Sequence, residues 1–89
     1  MDDIQIFIGL KAREEKAFNR LFSLLYAPVR FYIEQITKNE LESEDITMQS
    51  LFKFWEKGAD EFQSFPQVKG YIFKTARNAA FNFLKKSTR

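Results

Sequence analysis

The stretch VKGYIFKTARNAAFNFLKK, residues 68–86, decides the fold of this chain. Its apolar residues recur at α-helical spacing, which predicts a helix with one face in a core. The core face carries Val68, Ile72, Ala76, Ala79, Ala80 and Phe83. The opposite face carries Gly70, Tyr71, Lys74, Arg77, Asn78, Phe81 and Lys85. Aromatic residues on a basic face indicate one of two things: packing against the N-terminal helix or an absent partner, or a nucleic-acid surface.

The rest of the chain is also predicted to be helical, because few Gly and Pro residues interrupt it and no stretch alternates with period two. A first helix over residues 4–11 should be capped by Asp3 and buried on two sides. A second begins near residue 13 or 14 and keeps its apolar phase past Pro28, which predicts a kink without a chain reversal. A third should begin at Ser43 and end at Gly58. Its expected buried residues are Ile46, Leu51, Phe52 and Trp55.

Residues 58–67 are predicted to form a long connecting loop, and such loops in compact domains often carry function. Together the segments predict a single all-α domain over residues 1–89, a compact bundle of three to four helices.

Composition excludes several classes of protein. The chain has neither Cys nor His, so it can form no disulfide, no thiolate or imidazole metal site, and no Cys nucleophile or His general base. An all-carboxylate site remains possible but has no support beyond scattered Glu, so we expect no cofactor and no metal. The sequence also lacks an apolar run of about 20 residues, which a membrane span requires. The start Met1-Asp2-Asp3 has the wrong charge for a signal peptide, which predicts a cytoplasmic protein.

Charge is distributed unevenly along the chain. Residues 62–89 hold six basic side chains and no acidic one, whereas all 12 acidic residues lie earlier, with eight basic ones. Cations can neutralise phosphates and aromatic rings can stack on bases, so this end suits a polyanion. A solvated basic helix whose aromatic residues all lie in the core is the alternative. The aromatic residues of the basic segment are Phe62, Phe65, Tyr71, Phe73, Phe81 and Phe83.

Three segments resemble a known family. Residues 42–56, ESEDITMQSLFKFWE, are similar to the acidic-then-apolar helix of bacterial sigma factors, and residues 68–86 are similar to the helix that follows it. Residues 15–22, EKAFNRLF, fit the opening of the same region. In order and spacing the three resemble the second conserved region of extracytoplasmic-function sigma factors.

The resemblance implies a binding domain with two faces and no enzymatic activity. The third helix would dock on the beta-prime clamp helices of the RNA polymerase core through Asp45, Met48, Gln49 and Lys53. The loop and fourth helix would bind the minus-ten promoter element as a melted strand, and an anti-sigma factor is a possible further partner. The implied DNA-binding residues are Phe62, Ser64, Phe65, Gln67, Lys69, Tyr71, Lys74, Arg77, Asn78, Phe81 and Lys85.

Roles within that set follow from residue chemistry. Lys74, Arg77 and Lys85 suit phosphates, and Asn78 suits a base edge because an amide both donates and accepts. The loop residues Phe62, Ser64, Phe65 and Gln67 have the types that a pocket for a flipped base needs. Phe62 and Phe65 could instead hold the loop on the core, and Asp45 and Gln49 could simply form a solvated face.

The chain departs from the family pattern at several points. Met48-Gln49 stands where the clamp-facing helix usually has Gln-Glu, Asn82 replaces a common Asp, and Lys74-Thr75 replaces the tryptophan pair of housekeeping sigma factors. Nothing corresponds to the second domain, which binds the minus-35 element, so a truncated form of a longer factor is expected. The alternative function is a helical protein-protein interaction module with an incidental basic helix.

Overall fold

The computed structural model describes residues 1–87, which form four α-helices joined by short connections. Their bounds are α1 Asp3–Lys11, α2 Glu15–Thr37, α3 Glu40–Lys57 and α4 Phe65–Ser87. The predicted all-α bundle is thereby confirmed. Arg89, the last cation of the basic segment, lies outside the described residues.

Helix α2 packs against α1, α3 and α4, and its most extensive interface is with α3. It continues across Pro28, so the predicted continuity is confirmed. Leu21, Leu25, Val29 and Ile33 follow one another at i, i+4 spacing and are buried. The other helices pack against this buried stripe of α2.

Helix α1 buries one side only, contrary to the prediction of two. Ile6 and Leu10 are buried, whereas Ile4 and Ile8 are 71% and 61% exposed. A Cβ at Gly9 would lie 2.6 Å from the Cβ of Ala17, so the missing side chain lets α1 approach α2 closely. The helix therefore contacts α2 by a narrow face, and the opposite isoleucines remain in solvent.

Helix starts differ from the predictions by a few residues. Asp2, not Asp3, caps α1: its carboxylate accepts from the Gln5 N–H at 2.8 Å, and the Gln5 side chain accepts from the Asp2 N–H. Asn39, not Ser43, caps α3, with its side chain accepting from the Glu42 N–H. In both cases the oxygen satisfies a first-turn N–H that has no partner within the helix.

The buried face of α3 was predicted correctly for Ile46 and Leu51, which are 5% and 0% exposed, and wrongly for Phe52 and Trp55. Phe54 is 1% exposed, whereas Phe52 is 45% exposed and Trp55 is half-buried. The stripe that faces the core includes Ser43, Thr47 and Ser50, whose hydroxyls bond backbone carbonyls one turn earlier at 2.7–2.8 Å. These bonds satisfy the hydroxyls, so polar residues can occupy a core position without cost from unpaired groups.

Helix α4 confirms its predicted core face. Val68, Ile72, Ala76 and Ala80 are fully buried. The helix begins at Phe65, three residues before the predicted start, so the preceding connection spans residues 58–64 only. Pro66 occupies the first turn, where a missing N–H breaks no helical hydrogen bond.

Candidate nucleic-acid interface

The solvent face of α4 carries an exposed row of residues. Gly70, Lys74, Arg77 and Phe81 recur at helical spacing along one side, and all are exposed, with Phe81 49% exposed. Asn78 lies beside Arg77 and is exposed too. Because residues 62–87 contain no Asp or Glu, no carboxylate on α4 neutralises these cations.

A first depression, the loop groove, lies between α4 and the chain that precedes it, with a volume of about 480 Å³. It joins four residues of the predicted DNA-binding set to three residues outside that set. The former are Phe62, Gln67, Tyr71 and Lys74, and the latter are Lys57, Glu61 and Gly70.

A second depression, the α3 groove, continues the first along α4 with a volume of about 400 Å³. Tyr71 lines both grooves. Asn78 and Lys53 both line the α3 groove, so Lys53, expected to contact polymerase, shares this groove with the predicted base-reading amide. The groove is lined by Lys53, Tyr71, Thr75, Asn78, Ala79 and Asn82.

A third depression, the α2 groove, lies on the other side of α4 with a volume of about 350 Å³. The rings of Tyr32 and Phe73 meet edge to face there, with centroids 5.7 Å apart. Gly70 and Lys74 line this groove and the loop groove, so they form the ridge between the two. Arg77 completes the lining.

Three aromatic rings, those of Phe54, Phe62 and Tyr71, pack against one another at the loop groove. The Phe62 ring lies 5.4 Å from that of Tyr71 and 5.7 Å from that of Phe54, centroid to centroid. Phe62 and Tyr71 are half-buried, so one edge of each ring remains accessible. Tyr71 thus packs against the loop and α3, not against the N-terminal helix.

Phe65 occupies a different position from the one expected. It is only 6% exposed and belongs to the core, because it starts α4 and does not lie in the loop. Its accessible edge lines a depression on the α2 side, next to Lys69 and Phe73. Phe65 therefore does not share the loop groove with Phe62, and Lys69 lies apart from Tyr71 and Asn78.

Ser64 and Gln67 are engaged at the start of α4. The Ser64 hydroxyl accepts a long hydrogen bond of 3.4 Å from the Gln67 N–H, and the Gln67 side-chain oxygen accepts from the Gln63 N–H at 2.8 Å. Gln67 also lines the loop groove, and its side-chain amide is a donor as well as an acceptor. These two residues therefore contribute hydrogen bonds at the start of α4, in addition to any contact with a ligand.

Lys11 at the end of α1 and Arg13 in the α1–α2 connection hold the loop and the end of α3 that leads into it. The Lys11 ammonium donates to the Asp60 carbonyl at 3.0 Å, and the Arg13 guanidinium donates to the Trp55 carbonyl at 2.8 Å. Lys57 and Glu61 form an ion pair of 3.3 Å across the same segment. These contacts tie the end of α3 and the first half of the connection to the bundle.

The α3 residues expected to contact polymerase fall into two groups. Gln49 donates to the Asp45 carboxylate at 2.8 Å, which confirms that these two side chains share one side of α3. Met48 is exposed next to Phe52, whose ring contacts Phe18 and Phe22 with centroids 6.0 and 6.1 Å apart. Lys53 instead belongs to the α3 groove.

Sequence reasoning missed Lys57 and Tyr32 as groove residues. Lys53 and Lys57 are one turn apart on α3, directly before the loop, and that spacing could have signalled a shared basic edge. Tyr32 keeps the helical spacing of Val29 and Ile36, which predicted a place in the apolar stripe of α2, but it is 37% exposed. Its place beside Phe73 depends on how α2 and α4 pack.

Two features are absent from residues 1–87. No group of His, Cys, Asp or Glu side chains is arranged there to hold a metal ion. None of the described helices has the length and apolar character needed to cross a bilayer. Comparison with protein-family models, with curated proteins and with solved structures gave no match.

Proposed function

We propose that this chain binds a single nucleic-acid strand along α4, as the promoter-recognition domain of a sigma-type transcription initiation factor. The observation that carries the proposal is the acid-free cationic ridge of α4, bordered on both sides by grooves with accessible aromatic rings. A single strand needs both features, since cations hold its backbone and ring faces or edges receive its unstacked bases.

The grooves suit a melted strand better than a duplex. A duplex reader projects side chains from a helix into the major groove, where the bases stay stacked. Here the aromatic residues Tyr71, Phe62 and Phe73 lie in depressions beside the ridge, where a base must leave its stack to reach them. Melted minus-ten DNA is the substrate that the family resemblance implies.

Docking on RNA polymerase is the second half of the proposal. Asp45 and Gln49 form a polar pair on α3, and the exposed Met48 and Phe52 beside them add apolar surface. Such a mixed patch is typical of protein interfaces, where apolar anchors are surrounded by polar contacts. The beta-prime clamp helices are the proposed partner, an anti-sigma factor would compete for either face, and the site of action would be the cytoplasm.

The test compares labelled oligonucleotides in single-stranded, bubble and duplex form by fluorescence anisotropy across salt concentrations. Single strand or bubble should bind best, and each phosphate contact should contribute about −0.7 to the slope of log affinity against log salt. Lys74→Ala and Arg77→Ala should weaken binding and flatten the slope. Arg20→Ala, which removes an exposed cation of α2 away from the three grooves, is the matched control and should change neither.

The competing function is a protein-interaction module, and the exposed aromatic edge at Phe52 and Trp55 favours it. A module of that kind would bind all oligonucleotides weakly and equally, and its Lys74 and Arg20 variants would behave alike. Equal binding of single strand and duplex would therefore reject the sigma-type proposal.

A further inference from the structure

Gly70 stands at an exposed position of α4 where the fold has no need for glycine. A Cβ at this position would meet no atom within 4 Å, and its backbone is helical. The other two glycines each have a structural reason: Gly9 lies against Ala17, and Gly58 has a φ of +81°. Glycine is among the poorest residues for a helix interior, so Gly70 weakens α4 without improving its packing.

Gly70 also lies where two grooves meet. It lines the loop groove on one side of α4 and the α2 groove on the other, together with Lys74 one turn later. Since Gly70 has no side chain, the ridge between the grooves is lowest there. Tyr71 flanks this low point toward the loop groove, and Phe73 flanks it toward the α2 groove.

We propose that a single nucleic-acid strand crosses α4 at Gly70. The sugar-phosphate backbone passes over the bare helix backbone, and the Lys74 ammonium contacts the crossing phosphate. The base on one side of the crossing enters the loop groove near Tyr71, and the base on the other side enters the α2 groove near Phe73. This crossing rests on the proposed function and adds the path of the strand to it.

The chemistry of the crossing favours a phosphodiester over a peptide. Lys74 and Arg77 line the α2 groove without any carboxylate among its residues, and the single acid of the loop groove, Glu61, is paired with Lys57. A neutral or basic peptide would leave Lys74 and Arg77 uncompensated, whereas phosphates spaced along a strand neutralise both. Glycine is the residue that permits close approach of a backbone to a ligand.

The experiment replaces Gly70 by Ala and by Leu and measures binding of a labelled oligothymidylate together with thermal unfolding. Gly70→Ala should raise the Tm, because Ala is the better helix former, yet weaken binding about threefold. Gly70→Leu should weaken binding roughly tenfold or more, because its branched side chain would occupy the crossing. Ala27→Leu, which places the same side chain at an exposed site of α2, is the control and should leave binding unchanged.

The results separate the two proposals. If the unmodified chain binds the oligothymidylate and Gly70→Leu binds it within twofold of that affinity, the crossing is wrong while the proposed function survives. If the unmodified chain does not bind any single strand, both fail. A gain in Tm together with a loss of binding in Gly70→Ala supports the crossing, since unfolding cannot explain it.

Discussion

The Arg13 guanidinium donates a hydrogen bond of 2.8 Å to the Trp55 carbonyl oxygen, and its Cζ lies 5.7 Å from the centre of the Trp55 indole. Trp55 is in the last turn of α3, where carbonyl groups have no partner within the helix and a positive charge is stabilised by the helix dipole. Arg13 thereby closes the end of α3 and fixes the point where the loop begins.

This contact couples Arg13 to Gly58. A Cβ at Gly58 would lie 2.8 Å from an Arg13 guanidinium nitrogen, and the φ of +81° is itself unfavourable for other residues. Gly58→Ala should therefore cost about 1–3 kcal/mol. In an Arg13→Ala background the cost should fall by about 0.5 kcal/mol or more, because the clash disappears while the strained φ remains. Urea unfolding of the four proteins measures this coupling, and strictly additive costs would contradict it.

The aromatic residues of α3 should differ in their contribution to stability. Phe54→Ala should cost about 3–5 kcal/mol, because its ring is fully buried. Trp55→Ala should cost less, since the indole is only half-buried, with Phe18 and the exposed Arg13 side chain as its neighbours. Phe52→Ala should cost least. Equilibrium unfolding gives the order, and a larger loss at Phe52 than at Phe54 would show that the buried face is wrongly identified.

Polymerase association should depend on Asp45. Asp45→Arg should abolish binding to the core enzyme in a pull-down, while the free energy of unfolding changes by about 0.5 kcal/mol, as for other surface substitutions. Glu40→Arg makes the same change of charge on a different side of α3 and should leave binding intact. Unfolding of the Asp45 variant would instead assign this carboxylate to the stability of the fold.

Base selectivity should be tested at Gln67 by a change that preserves the helix end. Truncating Ser64 and Gln67 would also remove hydrogen bonds at the start of α4, which typically costs about 1 kcal/mol. Gln67→Glu retains an acceptor for the Gln63 N–H and loses the amide donor. It should lower affinity for promoter-like strands by about 1–3 kcal/mol more than for scrambled ones.

The added charge of Gln67→Glu weakens the binding of both kinds of strand. The difference between the two losses of affinity therefore isolates the effect of the lost amide donor. If competition binding shows an equal loss of affinity for promoter-like and scrambled strands, base selectivity would be assigned to Asn78 instead. The variant Asn78→Ala, measured against the same pair of strands, would then show the preferential loss.

Some of this architecture could be predicted from the sequence and some could not. The core face of α4 was predictable because Val68, Ile72, Ala76 and Ala80 are apolar at helical spacing. The face of α3 was not, because Ser43, Thr47 and Ser50 bury hydroxyls that bond to the backbone, and adjacent aromatic residues gave no phase. The polarity of a residue is therefore a poor guide to its burial wherever its hydroxyl bonds a backbone carbonyl of the same helix.

The grooves could not be predicted from the local sequence for a different reason, namely that long-range contacts form them. Arg13 and Lys11 contact residues 42 and 49 positions later in the chain, and these contacts set the path of the loop. The α3 groove likewise joins Lys53 to Asn78 through the packing of two helices. Residue types indicated which side chains suit a strand, but their grouping depends on tertiary contacts that no window of sequence contains.

The contact of Phe54 with both Phe62 and Tyr71 has a consequence for engineering the specificity of this domain. One wall of the loop groove is continuous with the hydrophobic core, so a substitution at these rings changes folding and recognition together. Randomised libraries that include them would be depleted by loss of soluble protein before any selection for a new target. Lys53 and Asn78 are exposed residues of the α3 groove, so libraries confined to them leave these rings intact and are the practical route to a domain with a different preferred strand.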